Sequence, residues 1–247
     1  MNSQTGDYHA GSRTGTIKFD FTDSDSLHVS CFFQALHEEL EKTLRSDTHF
    51  LIFNINGFPE EKSLKNFEVG ERAEAQEYSR RCMERILSLR IPVISEIRGF
   101  ICGPILETVL FSDFIIACRS TIISSLMLEK GYIPVMGMLT NLMELFGKEG
   151  LFRFLLDGID LSSTHPVKIS IFHSIIDQED LDSEVAKLIK TFSERDRHAI
   201  RVIKELSLHT RNLHPGEALL LERYNFALCF SEPHVKERID LFLNKKE

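Results

Sequence analysis

Residues 91–137 constrain the fold of this 247-residue chain more than any other stretch. A β-branched run, Val93–Arg98, ends at Gly99; Gly103 turns the chain again, and Pro104 opens an apolar segment with one carboxylate, Glu107, near its start. Proline suits the first helical position, where its missing N–H removes no hydrogen bond, and glycine lets a strand and a helix approach closely. The spacing predicts a strand over 93–98, a turn at Gly103, a helix over 104–112 beginning at Pro104, and a further strand over 114–118. A strand feeding a helix N-terminus is a place where a developing anion is stabilised.

The rest of the chain repeats this alternation. Thr16–Phe21 alternates apolar and polar residues as a half-buried strand does, and Phe50–Ile55 is apolar enough to be buried on both faces of a parallel sheet. Between them Phe32, Phe33, Leu36, Leu40 and Leu44 recur at helical spacing. A helix over Ala73–Leu89, with Tyr78, Met83, Ile86 and Leu87 as its apolar side, stops before Pro92. Helical patterns return at 138–145 and 150–156. Strands alternating with helices imply βαβ units and a largely parallel sheet, an α/β fold. From 181 to 243 the periodicity is only helical, with breaks at Pro215 and Pro233. The expected organisation is a disordered N-terminus over 1–15, an α/β core over 16–180 and a helical region over 181–247. That last region is too small for a large core and must pack on the first part or on a partner.

Composition narrows the function. A formal charge of −8 argues against nonspecific nucleic-acid binding, while leaving room for a local basic pocket. Residues 1–15 are polar, without the apolar stretch of a secretory signal, and no apolar run approaches the ~20 residues that span a bilayer. The expectation is a soluble, cytoplasmic protein with neither nucleic acid nor membrane as partner. Its five cysteines are scattered and without a C-x-x-C pair, and its histidines lack metal-ligand spacing, so no metal and no disulfide framework is expected.

Three blocks, in order, resemble the crotonase (enoyl-CoA hydratase/isomerase) superfamily: Ile91–Gly137, Glu149–Gly158 before a family turn, and Cys229–Lys246 as a terminal helix. Met127–Gly137, with Val235–Ile239, is also similar to the crotonase-like decarboxylases of polyketide β-branching, which points to polyketide biosynthesis. The resemblance implies a ββα spiral core and a helical C-terminal region that mediates trimers, or hexamers built from them. It implies chemistry on an acyl thioester, of coenzyme A or of a phosphopantetheine-bearing acyl carrier protein, with no other cofactor. The thioester oxygen would sit between two backbone N–H groups while a carboxylate moves protons.

Carried onto this chain, the resemblance makes Glu107 the first catalytic glutamate and places oxyanion donors at the Gly103 turn and, through the loop Phe67–Glu71, at the Glu71 amide. Lys236 and Arg238 would contact the coenzyme A or phosphopantetheine phosphate; a solvated helix face is the other reading of those charges. Likewise, a carboxylate in a first helical turn favours the helix dipole without any chemistry. Two positions depart from the family. Its middle oxyanion glycine corresponds to Pro104, which has no N–H, and its second glutamate corresponds to Met127. Two functions therefore stay open: an isomerase, hydratase/dehydratase or decarboxylase working through an enolate, and a non-catalytic subunit or thioester binder.

Overall fold

The apolar runs lie side by side at the centre of a six-stranded sheet in a computed structural model that describes residues 2–9, 12–44, 47–126, 128–160 and 171–244. The chain forms β1 (Asn2–His9), β2 (Ser12–Asp20), β3 (Ser26–His28), α1 (Val29–Thr43), β4 (Phe50–Asn56), β5 (Asn66–Glu68) and α2 (Arg72–Leu87). Next come β6 (Val93–Arg98), β7 (Phe100–Cys102), α3 (Gly103–Val109), β8 (Phe114–Cys118), β9 (Ile122–Ser124) and α4 (Met138–Asp157). β10 (Ile159–Asp160), β11 (Ser174–Ile176), α5 (Leu181–Ser193), α6 (Arg197–His209), α7 (Pro215–Ser231) and α8 (Pro233–Asn244) complete the order.

The main sheet runs β1-β2-β4-β6-β8-β11, parallel except for β1 against β2. A smaller sheet, β10-β9-β7, and the pair β3-β5 stand apart from it. Contacts divide the chain into two units, Met1–Thr191 and Phe192–Glu247.

In the first unit, Ile17, Phe19, Phe53, Ile55, Ile97 and Ile115 on one sheet face join Phe33, Leu36 and Leu40 of α1 and Ile86 of α2 in one buried core. Each such side chain contributes roughly 1.5–3 kcal/mol by leaving water. On the other face Ile52, Ile94 and Ile116 are buried as well, as are Leu181, Val185, Leu188 and Ile189 of α5. On the expected apolar side of α2, Ile86 is buried and Tyr78 and Met83 pack half-buried against the core, with Leu87 half-buried; Ala75, Ser79 and Cys82 are buried as well. Small side chains bring the helix close to α1, so that the Cys82 thiol reaches the Phe33 carbonyl at 3.3 Å.

One expectation is corrected at the N-terminus. Residues 2–9 and 12–15, expected to be disordered, form β1 and the start of β2, in a register running from Asn2↔Lys18 to His9↔Ser12. Pairing of strands needs only backbone N–H and C=O groups, so a polar sequence is no obstacle. Gly15 lets the end of α1 close on β2, since a Cβ there would lie 2.6 Å from Thr43 Cγ2.

The two helical patterns at 138–145 and 150–156 are two helices that meet at a kink at Gly147 (φ 68°, ψ −177°), together α4. In the second unit the expected breaks become helix starts. Pro215 opens α7 behind a capping box of His214 and Glu217, and Pro233 opens α8. Asp196 caps α6 by accepting the Ala199 N–H at 2.8 Å.

Candidate active site

The site begins where β6 leaves the main sheet. Gly99 (φ +79°) turns the strand, and a Cβ there would stand 2.8 Å from the Phe58 carbonyl oxygen. Phe58 and Phe100 exchange N–H···O bonds of 3.1 and 2.7 Å, which fixes the turn against the end of β4. After β7 the chain turns at Gly103 (φ +55°), the first residue of α3, with Pro104 second. Helix entry is thus within one residue of the expected Pro104, and the proline sits where its lack of an N–H removes no helical bond.

Glu107 is the fifth residue of this seven-residue helix, in its second turn. The expected first-turn position is corrected accordingly, and with it the dipole explanation, which holds only for the terminal turn. All of α3 is buried, and Glu107 is only 1% exposed. Its Oε2 accepts the N–H groups of Val135 at 2.9 Å and Met136 at 2.6 Å, while Oε1 accepts none from the described residues. Burial pushes the carboxyl from 4.5 up to about 7, against the two N–H bonds, which favour the charged form. A carboxyl balanced near neutrality can both take and return a proton.

This carboxyl makes stability depend on pH with a definite sign. Below 4.5 folded and unfolded chains both hold the proton; between 4.5 and about 7 only the folded chain does, so stability falls as pH rises and then levels off. The fall is about 3 kcal/mol at the conversion of 1.36 kcal/mol per pKa unit. Gln at 107 keeps an acceptor for both amides and loses the charge. Urea unfolding at acidic and mildly alkaline pH is expected to show this fall in the wild type and not in Glu107→Gln.

Other predicted residues gather only in part. The Phe67 ring lies over the turn, its Cε2 3.2 Å from the position of a Gly103 Cβ, and Tyr132 stacks on it with centroids 5.2 Å apart. Gly70 (φ +70°) presses on Ser30, and the Ser30 N–H bonds to the Val69 carbonyl at 3.2 Å, so the loop is anchored at the start of α1. Glu71 follows as the exposed N-cap of α2, its carbonyl accepting the Ala75 N–H. Phe67 and Leu126 also line a cavity of about 340 Å³ with Glu61, Lys65, Glu129 and Lys130. Met127 lies outside the described residues.

Lys236 and Arg238 belong to the second unit. There Lys236 is exposed and Arg238 donates to the Glu194 carbonyl at 2.9 Å. Asp113 has a structural role, since it accepts the Val93 N–H at 2.7 Å and so ties the turn after α3 to the start of β6. The buried Cys102 thiol beside the turn is pushed up to about 12, chiefly by burial, and is no nucleophile at neutral pH. Sequence reasoning missed the Val135 and Met136 amides. The signal was there only as Gly131–Gly137, a glycine-bounded loop following the helix that carries the carboxylate.

A family model described as enoyl-CoA hydratase/isomerase matches residues 60–247. The chain belongs to the enoyl-CoA hydratase/isomerase family. Among its relatives, a crotonyl-CoA hydratase of Syntrophomonas wolfei subsp. wolfei is 24% identical over 185 residues, 74% of this chain and 71% of that protein. The solved enoyl-CoA hydratase of Bacillus anthracis superposes with a TM-score of 0.81 at 19% identity, over 99% of this chain and 97% of its own. Pseudomonas aeruginosa DspI does so with a TM-score of 0.77 at 22% identity, over 98% of this chain and 94% of its own. At such identities the solved structures establish the fold, which is the crotonase fold that the three sequence blocks pointed to.

Proposed function

We propose that this protein acts on an acyl thioester, of coenzyme A or of a carrier protein, through an enolate, with Glu107 as the group that moves the proton. The observation that carries the reading is Glu107 itself: buried, poised at about 7, anchored through one oxygen only. The names of the family and of its hydratase relatives support the substrate class. A single carboxyl favours isomerisation or decarboxylation over hydration, which needs an acid and a base acting on one water. In isomerisation Glu107 takes the proton from one carbon, the electron pair moves onto the thioester oxygen, and the proton returns to another carbon. In decarboxylation the departing CO₂ leaves the same enolate, and protonated Glu107 delivers its proton to the α-carbon. The N–H groups of Gly103 and Glu71 are the proposed oxyanion donors, with Lys236 and Arg238 as the proposed contacts of the phosphate.

Pro104 favours a second reading, a non-catalytic thioester-binding subunit, because one oxyanion donor is worth about 10²–10³ in rate and the residue in the family's donor position has none. Incubating the protein with coenzyme A and phosphopantetheine thioesters in D₂O, read by mass spectrometry, separates the two. Rearranged, decarboxylated or α-deuterated product supports the enzyme. Binding without any of these supports the subunit.

The assembly we propose is a homotrimer, or a hexamer of two such rings, made through the C-terminal helices. No side chain of α6, α7 or α8 is buried, and Leu220, Tyr224, Phe226, Phe230, Leu241 and Phe242 are all exposed. Apolar surface on that scale is normally covered by a partner. Sedimentation at micromolar concentration is expected to give a trimer or a multiple of it; a stable monomer would overturn this part.

A further inference from the structure

Tyr132 carries a group that the proton-transfer scheme leaves unused. Its ring stacks on Phe67, and Phe67 in turn covers Gly103, so the tyrosine is one ring removed from the turn that opens α3. Three and four residues further along the same loop, the Val135 and Met136 amides hold Glu107. The ring is therefore fixed between the two halves of the site. Its hydroxyl is shut off from solvent and has no hydrogen-bond partner among the described residues. A buried hydroxyl without an acceptor is a destabilising choice, and phenylalanine would fill the same space without it. Packing alone thus argues against a tyrosine here.

The phenol also keeps its proton. Burial, with the negative charge of Glu107 adding to it, holds the group well above the ordinary tyrosine range, so the hydroxyl is a donor and not a base. Pro104, near the start of α3, also removes the N–H at the family's donor position, which leaves the site only the proposed Gly103 and Glu71 amides.

We infer that the Tyr132 hydroxyl is a further hydrogen-bond donor to the thioester carbonyl oxygen, beside the Gly103 and Glu71 amides, and makes up for the N–H that Pro104 lacks. The inference rests on the thioester reading above. No proton changes owner at Tyr132: the α-proton passes to Glu107, the electron pair moves onto the thioester oxygen, and the phenol O–H donates to that oxygen as it becomes negative. An acceptor that arrives only with the substrate accounts for a hydroxyl with no partner inside the protein.

The test uses acetoacetyl-CoA, a thioester whose enolate absorbs in the near ultraviolet, bound to the full-length wild type and to Tyr132→Phe. Affinity is read by calorimetry, the enolate fraction by absorbance across pH, and folding by thermal melting. Phenylalanine preserves the stack on Phe67, so a merely structural tyrosine would leave every reading in place. The expected result is retained binding of the neutral thioester and an unchanged or higher melting temperature. The enolate-to-neutral ratio should fall by about 10²–10³, the effect of one oxyanion donor. An equal ratio in both proteins overturns the role of Tyr132 and leaves the thioester reading standing. So does binding to the wild type with no enolate formed. Failure of the wild type to bind acetoacetyl-CoA at all overturns the thioester reading and this inference together.

Discussion

Glu107→Gln is expected to lower turnover of a thioester substrate by about 10²–10⁴, the contribution of a positioned general acid–base group. The loss should lie in kcat with little change in KM, because the amide keeps the shape of the side chain and an acceptor for the Val135 and Met136 N–H groups. The same variant is expected to unfold no more easily than the wild type above neutral pH, since the buried charge is gone. Loss of activity without loss of stability separates a chemical role from a structural one. In the wild type the rate should change around pH 7, the value to which burial pushes this carboxyl. A decarboxylase needs the protonated form and loses rate above that pH, whereas an isomerase needs the carboxylate and loses rate below it. Turnover by Glu107→Gln at the wild-type rate would remove Glu107 from the chemistry.

Pro104→Gly is expected to have unequal consequences in two backgrounds. In Tyr132→Phe it returns an N–H to the start of α3 and should raise turnover by about 10²–10³. In the wild type, where the tyrosine already donates, the gain should be small. Both versions should be less stable by about 1 kcal/mol, because glycine gains more freedom on unfolding than proline does. Kinetics on the four combinations of the two positions form a double-mutant cycle, and equal effects of Pro104→Gly in both backgrounds would mean that the two residues do not share an oxygen. If the substitution abolishes a measured activity, the backbone geometry of the family's oxyanion site is not the one in use here.

The strands that build the centre of the main sheet were legible because burial on both faces leaves continuous apolar runs, as in Phe50–Asn56, Val93–Arg98 and Phe114–Cys118. The three-residue strands β3, β5, β7, β9 and β11 are too short to show any period, and β1 is polar; pairing partners decide them, and partners are not visible along a sequence. On α2 the spacing showed Tyr78, Met83 and Ile86 but not the buried Ala75, Ser79 and Cys82, because a search for large apolar residues passes over small ones. In the site, Glu107, Gly103 and Pro104 could be found because one continuous segment encodes them. The grip on Glu107 could not, since backbone amides carry no residue signature and theirs lie 28 and 29 positions away in the chain. Tyr132 was in plain view, but nothing in its spacing tells a stacked core ring from a donor.

The two oxygens of Glu107 are not equivalent. Oε2 holds the loop through two amides, and Oε1 has no such duty among the described residues. A proton carried on Oε1 can therefore come and go while the anchoring bonds stay in place. The loop need not be released and re-formed at each cycle, so the motion of the proton is uncoupled from the motion of the backbone. In the proposed isomerisation, such a carboxyl can take a proton from one carbon and return it to another through Oε1 while Oε2 keeps both of its amide bonds.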